Sequence, residues 1–268
     1  MIEYLAWWFA GGFVGFVASV EVLRRRRALT WHVAVVYALA GFACLYGAKI
    51  QHRLRFMPVS EALLLTPSEL STPGFHIPLG LVYSFVVAMI ACRAMRLPAL
   101  QVADALAMNY AVMMPIGRIG CLLAGCCTGT TCPAWLARVC VTVPALEGTE
   151  APTQIVHLLP AYFIALGVVL TAIHVLLFRR GAPPGTLIAV GMLLYPLGQL
   201  AIEQLRLTTG DRGAVMTSVL LATIAVDAVC IAGWWVRRTW RAPATEPIAA
   251  LGRRWIEFAD FWTRLSPR

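Results

Sequence analysis

The sequence predicts an all-α integral membrane protein with seven transmembrane helices, its N-terminus outside and its C-terminus in the cytoplasm. The composition supports this class, because 60% of the 268 residues are hydrophobic and only 13% are charged, whereas a soluble domain carries about 25% charged residues. The chain also contains seven apolar segments, each close to the roughly 20 residues that a helix needs to cross a bilayer.

The seven predicted spans lie at residues 4–23, 31–50, 77–97, 102–123, 155–178, 186–205 and 214–236. They predict one transmembrane domain over residues 1–237. Residues 238–268 are basic, and aromatic and charged residues alternate there at helical spacing. This pattern predicts an amphipathic cytoplasmic tail that lies on the anionic inner leaflet.

Arginine placement predicts the orientation. Basic residues follow the first, third, fifth and seventh spans, and a smaller number follow the second and sixth. Cytoplasmic loops carry the excess of arginine and lysine, so the N-terminus is predicted outside. The net charge of +9 is therefore a topology signal, and nucleic-acid binding is not expected. Because basic residues follow the first apolar run, no separate cleavable signal peptide is expected.

Two predicted outer loops are long, at residues 51–75 and 126–154, whereas the inner loops are short. This asymmetry indicates that a recognition face looks outward. Residues 60–65 of the first loop are expected to form a short interfacial helix.

Cysteines are dense after the fourth span, at Cys121, Cys126, Cys127 and Cys132, and Cys140 follows. They lack paired C-x-x-C spacing and a nearby histidine, so a metal site is disfavoured. A disulfide among Cys127, Cys132 and Cys140 is the better alternative if this side of the membrane is oxidising.

Arg118 is the most informative residue, since it lies at the end of an apolar span among four glycines. A charge at bilayer depth costs about 3 kcal/mol or more, so it usually faces a protein-lined cavity. A guanidinium fork suits a phosphate. The alternative is a structural charge that pairs with Glu203 on the sixth span and holds the two helices together.

A second polar cluster favours the phosphate interpretation. Glu203 and Arg206 are three residues apart and share one helical face, with Gln199 one turn and Tyr195 two turns before Glu203. Two spans that each bring an arginine to the outer half of the membrane can hold an anionic headgroup.

Two further polar residues have simpler interpretations. Lys49, the only lysine, ends the second span and is expected to reach the interface by snorkelling, with substrate binding as the alternative. Asp104 begins the fourth span and is expected to be a cap or interfacial residue.

Several motifs together resemble the prolipoprotein diacylglyceryl transferase family of bacterial inner membranes. The most specific runs from Gly117 through Arg118 to Gly129 and is similar to G-R-x-G-N-x-x-N-G. Residues 101–104 stand at the family's spacing before that arginine, residues 47–50 are similar to G-G-R-I-G, and residues 152–154 to part of H-P-[ST]-Q-L-Y-E. Residues 195–211 resemble Y-G-x-x-R-x-x-x-E-x-x-R-x-D. The family's seven-helix, N-out topology agrees with the orientation predicted from arginine.

The resemblance implies a multi-pass enzyme of the bacterial inner membrane. Such enzymes move a diacylglyceryl group from phosphatidylglycerol to the thiol of a lipobox cysteine in a precursor lipoprotein. The implied partners are this anionic phospholipid, the precursor peptide and the membrane, and no metal or organic cofactor is implied.

The resemblance also implies site roles. Arg118 would clamp the phosphate and Glu203 would orient Arg118. The family's histidine does not fall on a histidine here, so the candidate base is His76, two residues earlier and usable only with a local shift, or His157. The implied substrate-binding residues are Arg206, Gly120, Cys121, Gly125, Gly129, Gln154, Tyr195, Gln199 and Lys49.

The chain departs from the family's motifs at several positions. The histidine-glycine-glycine motif falls on residues 78–80, which read Pro-Leu-Gly; Gln199 replaces an arginine, and Cys121 replaces an asparagine. These differences support an alternative function, in which an inactive member of the fold acts as a lipid-binding or structural subunit of a membrane complex.

Overall fold

The computed structural model describes residues 2–54, 57–70, 77–125, 127–144 and 153–205, with a few single positions between 217 and 228. The chain divides into two compact units, Met1–Asp227 and Ala228–Arg268, and the elements below belong to the first. The helices are α1 (Ile2–Arg25), α2 (Trp31–Arg53), α3 (Val59–Ala62), α4 (Pro67–Leu70), α5 (Ile77–Ala94), α6 (Ala99–Leu123), α7 (Leu159–Arg179) and α8 (Thr186–Glu203). The strands are β1 (Thr128–Thr131), β2 (Cys140–Pro144) and β3 (Thr153–Leu158), and a 3₁₀ helix covers Ala134–Val139.

Six of these helices, α1, α2, α5, α6, α7 and α8, are long and apolar enough to cross a membrane. They coincide with the first six predicted spans, which confirms a helical membrane fold in the described part of the chain. The predicted seventh span and the tail at 238–268 fall outside the described residues. The orientation of the termini stays a prediction.

The outer segment before α7 corrects one predicted boundary. Residues 155–158 were expected to begin a helix, but they belong to β3, and α7 starts at Leu159. Pro160 stands in the first turn of α7, where its missing N–H costs nothing, while the β-branched pair Ile155 and Val156 favours a strand. The error arose because an apolar strand runs directly into an apolar helix, so hydropathy shows no boundary.

The three strands form an antiparallel sheet in the order β1-β3-β2. In this sheet Cys140 on β2 pairs with His157 on β3. His157, which falls inside the predicted span 155–178, therefore lies in a strand and not in the transmembrane helix. The sheet fills the second long outer loop, in which the sequence analysis anticipated no strands.

The helices pack closely where glycine removes a side chain. A Cβ on Gly117 of α6 would lie 2.5–2.8 Å from three ring atoms of Trp8 on α1, and a Cβ on Gly47 of α2 would lie 3.0 Å from Gly80 of α5. Small residues at such crossings let the helix backbones approach, which is how packing stabilises helix pairs in a bilayer. Gly47, part of one resembling motif, thus has a packing role.

Asp104, near the N-terminal end of α6, caps α8. The buried carboxylate of Asp104 accepts hydrogen bonds of 2.9 Å from the backbone N–H groups of Gly185 and Ile188, and it forms an ion pair with Arg26. The first N–H groups of a helix have no partner within the helix, and a carboxylate there is favoured by the helix dipole. The expectation that Asp104 is a cap is confirmed, although it caps a neighbouring helix.

The segment after α2 folds against the outer end of that helix. Arg53 pairs with Glu69 of α4 at 2.9 Å and donates to the carbonyl oxygens of Glu61 and Leu64. The backbone N–H and the hydroxyl of Thr66 both donate to the Glu69 carboxylate, at 2.7 and 2.8 Å, and the first of these bonds is one half of a capping box. These hydrogen bonds from the Thr66 N–H and hydroxyl, with the Arg53 charge, lower the pKa of Glu69. A short helix is present in this segment as α3, but it covers Val59–Ala62 and not the predicted residues 60–65.

Candidate functional site

Arg118 lies inside the helix bundle near the C-terminal end of α6. Its guanidinium carbon is 4.2 Å from the ring centroid of Phe163 on α7 and 6.0 Å from that of Trp8 on α1. Nη1 also contacts the sulfur of Cys121 at 3.9 Å. An aromatic face attracts a cation more strongly when both are desolvated. The half-buried side chain is therefore held against protein and does not point into hydrocarbon.

No carboxylate among the described residues pairs with Arg118, and within the same part of the chain its Nε has no acceptor. Other arginines differ in this respect: Arg24 and Arg25 pair with Glu21, Arg26 with Asp104, and Arg53 with Glu69. A cation removed from water normally needs an anionic partner, because desolvation is costly. The arrangement therefore suits an anion supplied from outside the protein.

Two tyrosines connect the Arg118 region to α8. Tyr110 and Tyr195 pack edge to face with ring centroids 5.0 Å apart, and both lie close enough to Arg118 to interact with its charge. Tyr195 also interacts electrostatically with Glu203. Although both are described, Arg118 and Glu203 do not form a direct ion pair. The structural pair considered from the sequence is thus not observed, although Tyr195 interacts with both charges.

The glycines of the motif shape the turn that follows α6. Gly125 adopts φ +61°, the left-handed conformation with which helices commonly end and which glycine accepts without strain. A Cβ on Gly129 of β1 would lie 2.8 Å from the Cβ of His157, and Thr130 beside it donates a 2.7 Å hydrogen bond to the carbonyl of Leu205. These contacts hold the sheet against the end of α8. Gly120 is buried within α6.

Three other residues predicted to bind substrate, Gln199, Gln154 and Lys49, lie in three different environments. Gln199 is 2% exposed, and among the described residues its Oε1 has no hydrogen-bond partner. Gln154 lies in β3 opposite Val143. Lys49 is 3% exposed and interacts with the charges of Glu69 and Arg53, so it does not snorkel to an open interface.

The predicted base His76 and the predicted second cation Arg206 lie outside the described residues. The first turn of α5, where the family's histidine-glycine-glycine falls, is engaged in helix packing. The Leu79 N–H donates a 2.7 Å hydrogen bond to Oε1 of buried Gln51, and Gly80 lies against Cys44 of α2.

His157, the other predicted base, is 5% exposed in the sheet. Its Nδ1 lies 3.0 Å from the hydroxyl of Tyr162 and 3.9 Å from the sulfur of Cys140. Cys140 forms a disulfide with Cys132. The expectation of a disulfide among the outer-loop cysteines is confirmed for this pair, and Cys127 is not part of it.

A cavity of about 360 Å³ lies between α2, α5, α6, α7 and α8. Apolar side chains such as Leu81, Phe85 and Leu170 form much of its wall. Tyr110 and Tyr195 belong both to this wall and to the surroundings of Arg118. A single site therefore combines a charged position with an apolar chamber of a size typical for small-molecule ligands.

The family model of prolipoprotein diacylglyceryl transferase matches residues 3–236, nearly the whole chain. The chain belongs to this family. No curated protein matches the sequence. The family is one of membrane transferases of lipoprotein biosynthesis, and the resemblance inferred from the motifs is confirmed.

Sequence reasoning missed the aromatic surroundings of the arginine in this family member. Phe163, Tyr110 and Trp8 are ordinary apolar residues of their spans, and no motif or spacing distinguishes them. The only available signal was an aromatic residue at a depth similar to that of Arg118, which many membrane helices share.

Proposed function

We propose that this protein transfers the diacylglyceryl group of phosphatidylglycerol to the thiol of a lipobox cysteine in a precursor lipoprotein at the bacterial inner membrane. One observation carries the proposal: a half-buried guanidinium, without a carboxylate partner among the described residues, lies beside an apolar cavity. A phospholipid joins an anionic phosphate to two hydrocarbon chains, which is the complementary combination. Family membership supports the same reaction.

In the proposed complex the lipid phosphate contacts Arg118, and hydrocarbon enters the cavity. Tyr110 and Tyr195 lie between these two regions and limit the access of water. Glu203 acts on the site through Tyr195, with which it interacts. Arg206, three residues after Glu203, is proposed as a second cation for the headgroup.

The proposed reaction is a displacement at carbon. The sulfur of the acceptor cysteine bonds to the glyceryl carbon that carries the phosphate, and the bond from that carbon to oxygen breaks. The electron pair leaves with glycerol phosphate, and the thiol proton passes to a base. Arg118 stabilises the additional negative charge on the departing phosphate, and such stabilisation is strongest where water is excluded.

The proton acceptor is proposed to be His76. Two facts support it over His157. The imidazole of His157 already contacts the Tyr162 hydroxyl, and it is buried in the sheet.

A second candidate function is lipid binding without transfer. The observation that favours it is the first turn of α5, where Leu79 and Gly80 are committed to contacts with α2 and a family histidine is replaced. Such a protein would bind phosphatidylglycerol without transferring it, and would act as a lipid-binding or structural subunit of a membrane complex.

Reconstitution distinguishes the two functions. The full chain is placed in phosphatidylglycerol vesicles with a fluorescent lipobox peptide, and both the peptide mass and glycerol phosphate release are measured. A mass increase by one diacylglyceryl group with stoichiometric glycerol phosphate establishes transfer. Bound phosphatidylglycerol in native mass spectra without transfer supports the second function, and the absence of both contradicts both.

A further inference from the structure

The outer sheet gathers a second group of reactive side chains, separate from the proposed lipid site. Cys132, Cys140 and His157 each place one sulfur or ring nitrogen within 4.8 Å of the others. The β2–β3 register brings His157 directly opposite Cys140. Spacing along the sequence gave no sign of this histidine, which is why a metal site was disfavoured there.

The donor set is that of a zinc site. Two thiolates and one imidazole are preferred zinc ligands, and Zn–S and Zn–N distances of about 2.3 and 2.0 Å place two tetrahedral ligands about 3.6–3.8 Å apart. The distance from Cys140 Sγ to His157 Nδ1 is 3.9 Å. The Cα atoms of Cys132 and Cys140 are 6.5 Å apart, so rotation about the Cα–Cβ bonds can bring both released sulfurs onto one ion.

We infer that reduction of the Cys132–Cys140 disulfide converts this part of the sheet into a zinc site with Cys132, Cys140 and His157 as ligands. The disulfide and the metal are then alternative states of one centre. Cys132 and His157 are 8% and 5% exposed, so the bound ion would be largely shielded. A water molecule takes the fourth position on the zinc ion. The Tyr162 hydroxyl, which in the disulfide form lies 3.0 Å from His157 Nδ1, becomes a neighbour of that water.

The conversion balances with a phosphine as reductant. The phosphine gains the oxygen of one water molecule and becomes a phosphine oxide; its two electrons and the two protons of that water convert the disulfide into two thiols. Zinc binding then releases the two thiol protons, because only thiolates bind the metal.

The test uses the full chain in detergent. One sample is reduced with a phosphine, which is then removed, and one is left oxidised. Both are titrated with Co²⁺ as a spectroscopic probe for zinc. The expected result is one cobalt per reduced chain with thiolate-to-cobalt charge-transfer absorption, displaced by one equivalent of Zn²⁺, and no such absorption in the oxidised protein.

Variants locate the site. The double variant Cys132→Ser/Cys140→Ser and the variant His157→Gln should lose this cobalt binding after reduction. Cys92→Ser, which removes a buried thiol of α5, should retain it. His157→Gln keeps the disulfide, so its oxidised form shows by size-exclusion elution that the fold is intact. No cobalt in the reduced wild type, or equal cobalt in the double variant, would overturn the inference.

Discussion

Replacement of Arg118 by alanine should reduce lipid transfer by about three orders of magnitude. The structure supports a large effect, because the guanidinium is half-buried and lies 4.2 Å from the Phe163 ring. At an effective dielectric of about 20, two unit charges 4 Å apart interact by roughly 4 kcal/mol. If Arg118 makes an interaction of this size with the phosphate in the transition state, its removal raises the activation free energy by roughly 4 kcal/mol. That increase corresponds to a rate about 10³-fold lower.

The assay is transfer to a fluorescent lipobox peptide in phosphatidylglycerol vesicles, with kcat/KM measured for each variant. Arg118→Lys keeps a charge but loses the fork that contacts two oxygens, so it should fall between wild type and alanine. The matched control is Arg24→Ala, since Arg24 is 68% exposed and already pairs with Glu21; its kcat/KM should stay within about twofold of wild type.

The reasoning is refuted if Arg118→Ala retains more than about a tenth of the wild-type kcat/KM. Membrane insertion and thermal midpoint of the variant are measured beside activity, because an unstable protein would also lose transfer. A normal midpoint with unchanged phosphatidylglycerol binding and lost transfer would show that Arg118 acts in the transition state and not in ground-state binding.

Three further predictions concern stability. Asp104→Ala should destabilise the protein by about 3–5 kcal/mol, because it leaves Arg26 and the first N–H groups of α8 without their partner. A large fall in the thermal midpoint would show this loss, whereas Glu21→Ala should change the midpoint little. The folded-state pKa of Glu69 is depressed. The stability that Glu69 contributes is therefore present above its unfolded pKa and is lost as the pH falls through its folded pKa. Hydrogen exchange of residues 59–70, corrected for intrinsic rates, should rise on acidification, and Glu69→Gln should remove that pH dependence. Gly117→Ala should lower the midpoint by forcing α1 and α6 apart, whereas Gly41→Ala, whose Cβ meets nothing within 4 Å, should not; equal midpoints would contradict the packing argument.

The outer loops show where prediction from sequence failed. Ile155, Val156 and Leu158 are apolar and adjoin the apolar helix that follows, so a hydropathy window merges residues 155–158 with the span. Their strand identity depends on pairing with β1 and β2, which lie earlier in the chain, because a strand is stable only when its hydrogen bonds reach a neighbour. The same pairing placed His157 beside a disulfide, a neighbourhood that sequence spacing could not show.

The amino-acid sequence by itself determined the membrane class, six of the helices with small errors at their ends, and the family, and it singled out Arg118 as the candidate phosphate-binding residue. These properties follow from local hydropathy and short motifs, which need no partner to be recognised. Only the tertiary structure decided which side chains surround Arg118, that Asp104 caps α8 and that an apolar cavity shares Tyr110 and Tyr195 with the surroundings of Arg118. Each of these depends on contacts between helices distant in the chain, and packing geometry determines such contacts.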